Sequence, residues 1–350
     1  MNILENKVVS FLMLPLSWLY HGIIQFRNWL FNHRLLVTHR VEQLKIISIG
    51  NITTGGTGKT PFCIFLAKLL TKKKHKVVIL SRGYGRKTTG TLLVSDHQNI
   101  LVQPDAAGDE PFLLARALPG VPVIVETDRY RSAQYANQLF SPDVIILDDA
   151  FQHRRLHRDL NILLVDATTG FGNQRLLPAG HLREPISNLK RADMVCLTRF
   201  SPEQLHHSIL NKDFFLSKGT LKCQHIPEKL IRFSDGKSFE CSLLADKKTL
   251  LFSGIANPLS FEKMVAKLGA KVCQHITFAD HHRYSKNELD KIVTMSHNGA
   301  VELIVTTEKD AVRIHDFAQN LPNLFYLSIE IKIIDGMELL QNKLNSLLQN

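Results

Sequence analysis

The chain has 350 residues, with 43 Lys+Arg against 32 Asp+Glu, a formal charge of +11 and a pI near 9.4. Hydrophobic residues at 44% and charged residues at 21% exclude a disordered or purely coiled-coil protein, and a mean hydropathy of −0.04 excludes a polytopic membrane protein. Five scattered cysteines without a CxxC pair point to a reducing compartment, and the basic excess points to an anionic partner.

The first forty residues stand apart. Residues 8–24 read VVSFLMLPLSWLYHGII, nearly free of charge but interrupted by Pro15 and His21. The run falls short of the ~20 residues a spanning helix needs, and Lys7 alone makes a weak basic flank for a signal peptide. From Trp18 onward Ile23, Phe26, Trp29 and Leu30 recur at roughly helical spacing, interleaved with Arg27, Arg34 and Arg40. Aromatic residues beside cations suit an interfacial helix on an anionic membrane; the competing reading is a core-packing helix. Residues 1–40 are therefore expected to form a membrane-associated element.

From residue 41 short apolar runs alternate with helical stretches, which predicts an α/β fold with a mainly parallel sheet flanked by helices. Strands are expected at 45–49, 77–80, 121–125, 144–147, 161–165 and 194–197, with helices at 61–70, 110–117 and 130–140. The polar stretches SPEQLHHS, NKDFFLSKG and FSDGKSFE mark a change of composition over residues 200–248. A linker with short β segments is expected at 216–248, between a nucleotide-binding domain at 41–215 and a smaller C-terminal α/β domain at 249–350. That second unit has strands at 249–252, 271–276, 303–306 and 324–329, and helices at 260–268, 286–296 and 336–348.

The sharpest motif is IISIGNITTGGTGKTP, a strand running through a glycine-rich turn into a helix. Gly55, Gly56 and Gly58 let successive backbone N–H groups turn toward phosphate oxygens, with Thr53, Thr54 and Thr57 completing the loop. Lys59 is placed to bridge the outer phosphates and the Thr60 hydroxyl to ligate Mg²⁺. The usual P-loop pattern has glycine where this chain has Thr53. A strand ending in Asp148 and Asp149 supplies the carboxylates that a Mg²⁺–nucleotide site requires. ATP and Mg²⁺ are thus expected ligands of a P-loop NTPase-type domain.

GNITTGGTGKTP, SRGYGR, GDEPFLLA, DDAFQH, GFGNQRLLPAGHLREP, SGIANP, DHH and TTEKDAVR occur in that order between residues 50 and 313. Together they resemble the tetraacyldisaccharide 4′-kinase family, the lipid A 4′-kinases of Gram-negative bacteria, whose phosphate loop also lacks the first glycine. The resemblance implies transfer of the γ-phosphate of ATP to the 4′-hydroxyl of an acylated disaccharide phosphate. It also implies a peripheral seat at the cytoplasmic face of the inner membrane. Carried over by motif, Lys59 and Thr60 bind phosphate and metal, Asp148, Asp149 and Glu184 are acids at the metal, and Asp109 is the general base. His281 is its expected partner, with His282 as the second candidate, and Arg183 lies beside Glu184. Ala150 and His181 depart from the family's usual glycine and proline.

On the residues alone, Asp109 and Glu110 are also acids of a helix start, and the DHH loop is also a polar turn. Arg82 and Arg129 follow predicted strand ends and, with Arg183 and His282, are candidates for phosphate or substrate contacts. A P-loop switch or partitioning protein is the rival reading, but the lysine such proteins carry before the two glycines is replaced by Thr54, and no NKxD motif is present. No nucleic-acid partner is expected, because the basic residues are dispersed and no DNA- or RNA-binding motif occurs.

Overall fold

Buried apolar runs of the sequence become adjacent strands of one sheet. The computed structural model describes residues 7–210, 219–314 and 323–349. The strands are β1 Lys45–Gly50, β2 Val77–Ser81, β3 Leu92–Ser95, β4 Val123–Val125, β5 Val144–Leu147, β6 Leu160–Asp166 and β7 Met194–Thr198, then β8 Thr220–Arg232, β9 Ser238–Phe239, β10 Lys248–Ser253, β11 Lys271–Thr277, β12 Leu303–Thr307 and β13 Leu324–Asp335. Their order is β11-β10-β12-β13-β8-β7-β6-β1-β5-β2-β4-β3, with β9 attached to β8. Pairing is parallel except for β3–β4, β8–β9 and β8–β13. The fold is a mainly parallel α/β sheet flanked by helices.

The N-terminal and C-terminal units share this sheet, and β8 joins them. β8 pairs in parallel with β7 over residues 220–222 and antiparallel with β13 over residues 222–232. This strand is longer than the short segments expected of a linker. Pro227, which breaks the apolar pattern, falls where the β8–β13 register shifts, so the missing N–H is tolerated. NKDFFLSKG lies outside the described residues apart from Gly219, as does the expected boundary at 215–216.

β13 runs six residues past its predicted end. There Ile329, Ile331 and Ile333 alternate with Glu330 and Lys332, the pattern of an antiparallel strand with unequal faces. β4 starts after Pro122, which lacks the N–H a ladder needs. β3, absent from the expected strands, is a four-residue strand at the sheet edge, too short for its pattern to stand out.

The helix Lys59–Lys72 buries Phe62, Leu66 and Leu70 at four-residue spacing, one face of a 3.6-residue helix. These join Ile47 and Ile49 of β1 in the largest core, where each buried Leu or Phe contributes roughly 1.5–3 kcal/mol. Pro61 sits in the first helical turn, where a missing N–H costs no hydrogen bond.

The N-terminal stretch forms two helices, Lys7–Leu12 and Leu14–Asn32, divided beside Pro15. The longer helix is inverted with respect to a core helix. Ser17 and Asn28 are buried, whereas Trp18 is 69% and Phe26 62% exposed. Ser10 Oγ donates to the Ala179 carbonyl, Ser17 Oγ to Leu176 O and Tyr20 OH to Arg183 O. The two helices thus hold the body through Ser10, Ser17 and Tyr20, with Ile24 also buried, and turn most of their apolar side chains outward. Among the described residues, no helix is long and apolar enough to cross a membrane.

Candidate active site

A cleft of about 860 Å³ lies between the two units, with the phosphate loop on one wall and residues of the loops after β10, β11 and β12 on the other. The loop is braced from behind. Asn51 is fully buried and donates from Nδ2 to Thr57 Oγ1 at 3.0 Å, while Gln152 donates to the Asn51 carbonyl at 2.7 Å. Thr198 Oγ1 donates to the Thr57 carbonyl at 2.9 Å. Because C=O and N–H of a trans peptide point oppositely, this turns the Gly58 N–H away from Thr198. Arg199 caps the Gly56 carbonyl at 2.9 Å and is itself ion-paired with Asp166. Gly58 has φ 82°, and a Cβ there would lie 2.6 Å from His225 Nε2, so glycine is required by conformation and by space.

Thr53 and Thr54 do not line the cleft. The Thr54 N–H donates to the His181 carbonyl at 2.7 Å, and its Oγ1 lies 3.2 Å from His181 Nδ1. His181, a departure without an expected role, therefore anchors the start of the loop. Ala150 keeps negative φ and is fully buried; the left-handed conformation in that turn falls on Asp149, φ 48°.

Lys59 Nζ lies 3.4 Å from Asn51 Oδ1 and 3.6 Å from Asp149 Oδ1. Arg183 Nη1 reaches both Asp149 oxygens at 3.0–3.1 Å. Burial would raise Asp149, but Lys59 and Arg183 outweigh it and hold the carboxyl below its ordinary range. Asp148 goes the other way: burial first, then repulsion from Glu110 and Asp149, push it up to about 6. Adjacent acids driven apart are a mark of a functional site. Thr60, Asp148 and Asp149 all line the cleft.

Glu184 does not line it, contrary to its expected place at the metal. Its carboxylate is fully buried, accepts from Arg27 at 2.8 Å and from Asn188 at 3.1 Å, and is paired with Arg191. With its oxygens committed to two guanidinium groups, it anchors the N-terminal helix to the body. Arg183 stays at the cleft while its main-chain N–H donates to the Ile52 carbonyl at 2.7 Å.

Asp109 is the first residue of the helix Asp109–Ala117, in the turn where the dipole favours an acid. Gly108 precedes it at φ 90°, where a Cβ would meet the Tyr84 carbonyl at 2.9 Å. Asp109 stands just off the cleft lining, and its Oδ2 accepts from Arg313 Nε at 2.7 Å and lies 3.6 Å from His281 Nδ1. Burial raises its pKa, but the positive charges of the protonated His281 ring and of Arg313 more than offset this and hold it at about 2. His281 faces the cleft. His282 does not: its ring stacks on Phe278 and its Nε2 pairs with Glu288 at 3.1 Å, inside the C-terminal unit. A substrate contact by His282 is thus not supported.

Arg82 is exposed at the cleft, and Arg129 is buried there, its pKa lowered to about 10 by burial. Glu110, Arg199, His225 and Lys309 also line the cleft, and the sequence motifs assign none of them a role. Glu110 pairs with Lys309 at 3.0 Å. They lie in the motifs GDEPFLLA and TTEKDAVR, and no spacing along the chain signals a contact that spans the two units.

The family model described as Tetraacyldisaccharide-1-P 4′-kinase matches residues 9–349. The tetraacyldisaccharide 4′-kinase of Halothermothrix orenii is 37% identical over 356 residues, covering 96% of this chain and 92% of the relative. That of Aquifex aeolicus is 40% identical over 321 residues, covering 92% of this chain and 94% of the relative. The 2.2 Å crystal structure of the "apo" form of LpxK from Aquifex aeolicus in complex with ATP superposes with a TM-score of 0.79 at 36% identity, covering 97% of this chain and 99% of that one.

Proposed function

The chain belongs to the tetraacyldisaccharide-1-P 4′-kinase family, and on that premise we propose that its cleft transfers the γ-phosphate of ATP to the 4′-hydroxyl of a tetraacylated disaccharide 1-phosphate, with Asp109 as proton acceptor. The protein is an ATP-dependent lipid A kinase. The observation that carries the assignment of roles is the cleft itself: phosphate loop and paired aspartates on one wall, His281 and Lys309 on the other, with Asp109 at their junction.

The chemistry asks for a base, charge neutralisation and positioning. The 4′-hydroxyl gives its proton to an Asp109 oxygen as the sugar oxygen bonds to the γ-phosphorus; the bond to the bridging oxygen breaks and ADP leaves. Lys59 neutralises charge on the phosphates, and the exposed Arg82 offers a cation to the anionic substrate. Mg²⁺ suits the remaining donors. Buried Asp148 is repelled by Asp149 and Glu110, a surplus of negative charge that a dication relieves, and the Thr60 hydroxyl is a hard oxygen ligand. Among the described residues no three His, Cys, Asp or Glu side chains form a self-sufficient metal cage. Mg²⁺ in phosphoryl-transfer sites is held by one or two protein oxygens together with phosphates and water, so these donors fit. When bound, the ion would offset charge developing on the phosphates.

The outward apolar side of the helix Leu14–Asn32 supports a peripheral seat on an anionic membrane, where an acylated substrate resides. Most of the large exposed apolar side chains among the described residues lie between Val8 and Val37.

The test is transfer of label from [γ-³²P]ATP to purified tetraacyldisaccharide 1-phosphate. Label on the lipid is expected; label released only as inorganic phosphate would overturn the reading. Asp109→Ala and His281→Ala, assayed singly and together, test the base and its partner, and strictly multiplicative losses would separate the two roles.

A further inference from the structure

Arg313 ends the helix Glu308–Arg313, and its side chain is 2% exposed. Nε donates to Asp109 Oδ2 at 2.7 Å, and Nη1 donates to the Gly254 carbonyl at 2.9 Å and to Asp310 Oδ1 at 3.1 Å. Nη2 lies 3.2 Å from His281 Nδ1. A guanidinium has only N–H donors and keeps its proton throughout the physiological range. At this contact His281 Nδ1 is therefore the acceptor, which leaves the neutral ring its hydrogen on Nε2. The 3.6 Å between Nδ1 and Asp109 Oδ2 is too long for a hydrogen bond, and on this tautomer no proton lies between them.

The arginine is itself held rigidly. Fully buried Asp310 accepts from Tyr284 OH at 3.0 Å, from the Gly254 N–H at 3.1 Å and from Thr307 Oγ1 at 2.6 Å, and its remaining contact is to Arg313. Arg313 therefore presents its fork to Asp109 and His281 from a fixed base, and it does so from the C-terminal unit across to the N-terminal one.

We propose that Arg313 is a positioning residue that orients Asp109 and sets His281 to the Nε2–H tautomer, so that the two can share a proton at Nδ1 only after the Arg313 N–H withdraws from that nitrogen. The inference rests on the reading of Asp109 as proton acceptor. A proton taken from the substrate hydroxyl sits first on the Asp109 carboxyl. Passing it to His281 Nδ1 returns the carboxylate and leaves an imidazolium, and that ring has no lone pair for Arg313.

Histidine side-chain ¹⁵N spectra of the full chain at pH 8, with His281 assigned by its loss in His281→Gln, read the tautomer directly. The wild-type ring is expected to carry hydrogen on Nε2 and none on Nδ1. In Arg313→Met, which keeps the length and removes the N–H groups, Nδ1 gains the hydrogen and donates to Asp109. The kcat of that variant falls about tenfold or more, with KM for ATP nearly unchanged, and Arg313→Lys recovers part of the loss. A wild-type ring protonated on Nδ1, or an Arg313→Met ring still protonated only on Nε2, overturns the proposal. The wild-type spectrum decides it even if the variant does not fold. Should Asp109→Ala transfer phosphate at the wild-type rate, the reading of Asp109 fails, while the tautomer measurement still judges Arg313.

Discussion

Lys309 and Glu110 are 199 positions apart in the chain and meet at 3.0 Å, tying the helix Glu308–Arg313 to the helix Asp109–Ala117. Arg313 and Asp109 form the neighbouring rung of the same contact. Lys309 is the first cause of the lowered Glu110 pKa, so its removal leaves a half-buried carboxylate facing Asp148 and Asp149. Lys309→Met should lose about 1.5–3 kcal/mol of stability, the range for a hydrogen bond to a charged group. The urea unfolding midpoint measures this, and an unchanged midpoint would show that water replaces the pair at no cost.

His225 gives the protein a pH dependence above the range in which carboxylates titrate. Burial, reinforced by Arg199, depresses the ring from 6.5 to about 3, and its Nε2 has no hydrogen-bond partner among the described residues. The folded state disfavours the proton, so this contribution to stability is full above the unfolded value of 6.5 and is lost as pH falls toward about 3. The slope approaches about 1.4 kcal/mol per pH unit. His153, lowered to about 4, acts in the same direction, so the comparison is between the wild type and His225→Gln. Between pH 6.5 and 5 the variant should lose less stability than the wild type; parallel curves would mean the ring is solvated.

Glu184→Gln separates an anchor from a metal ligand. The buried carboxylate holds Arg27 and Arg191, and breaking one partner of such a cluster costs about 3–5 kcal/mol. The thermal midpoint should fall without a selective change in the Mg²⁺ dependence of activity. A large rise in the Mg²⁺ requirement at unaltered stability would return Glu184 to the metal.

Trp18 and Phe26 test the outward side of the N-terminal helix. Their replacement together by serine removes two exposed aromatic side chains without touching Ser10, Ser17 or Tyr20, which hold the helix to the body. Partition into the headgroup region is worth roughly 1–2 kcal/mol for each, so sedimentation with phosphatidylglycerol vesicles should weaken about tenfold or more. Undiminished sedimentation would assign the surface to another partner.

Much of this protein is legible in one dimension because the determining physics is local. Four apolar residues before Asp148 and Asp149 make a buried strand with acids at its end, and three glycines before Lys59-Thr60 make a phosphate-binding turn, wherever the rest of the chain lies. The parallel α/β class followed from such runs, and the order of eight motifs pointed to the family. Even the bland reading of Asp109 as a helix-start acid agrees with its position, since the same dipole that favours an acid there also orients it.

What the tertiary structure decided are the partners, because charges pair through space and not along the chain. Glu184 stands beside Arg183 in sequence, yet its oxygens are taken by Arg27 and Arg191. His281 and His282 are indistinguishable as a dipeptide; a left-handed turn at His281, φ 61°, sends one ring to the cleft and the other to Phe278. The basic excess and the apolar N-terminus were visible at once, but periodicity reports that a helix has two unlike faces without saying which is packed. The contacts of Ser10, Ser17 and Tyr20 show that here much of the polar side is inside, and among the described residues most of the apolar side chains, Ile24 apart, face outward.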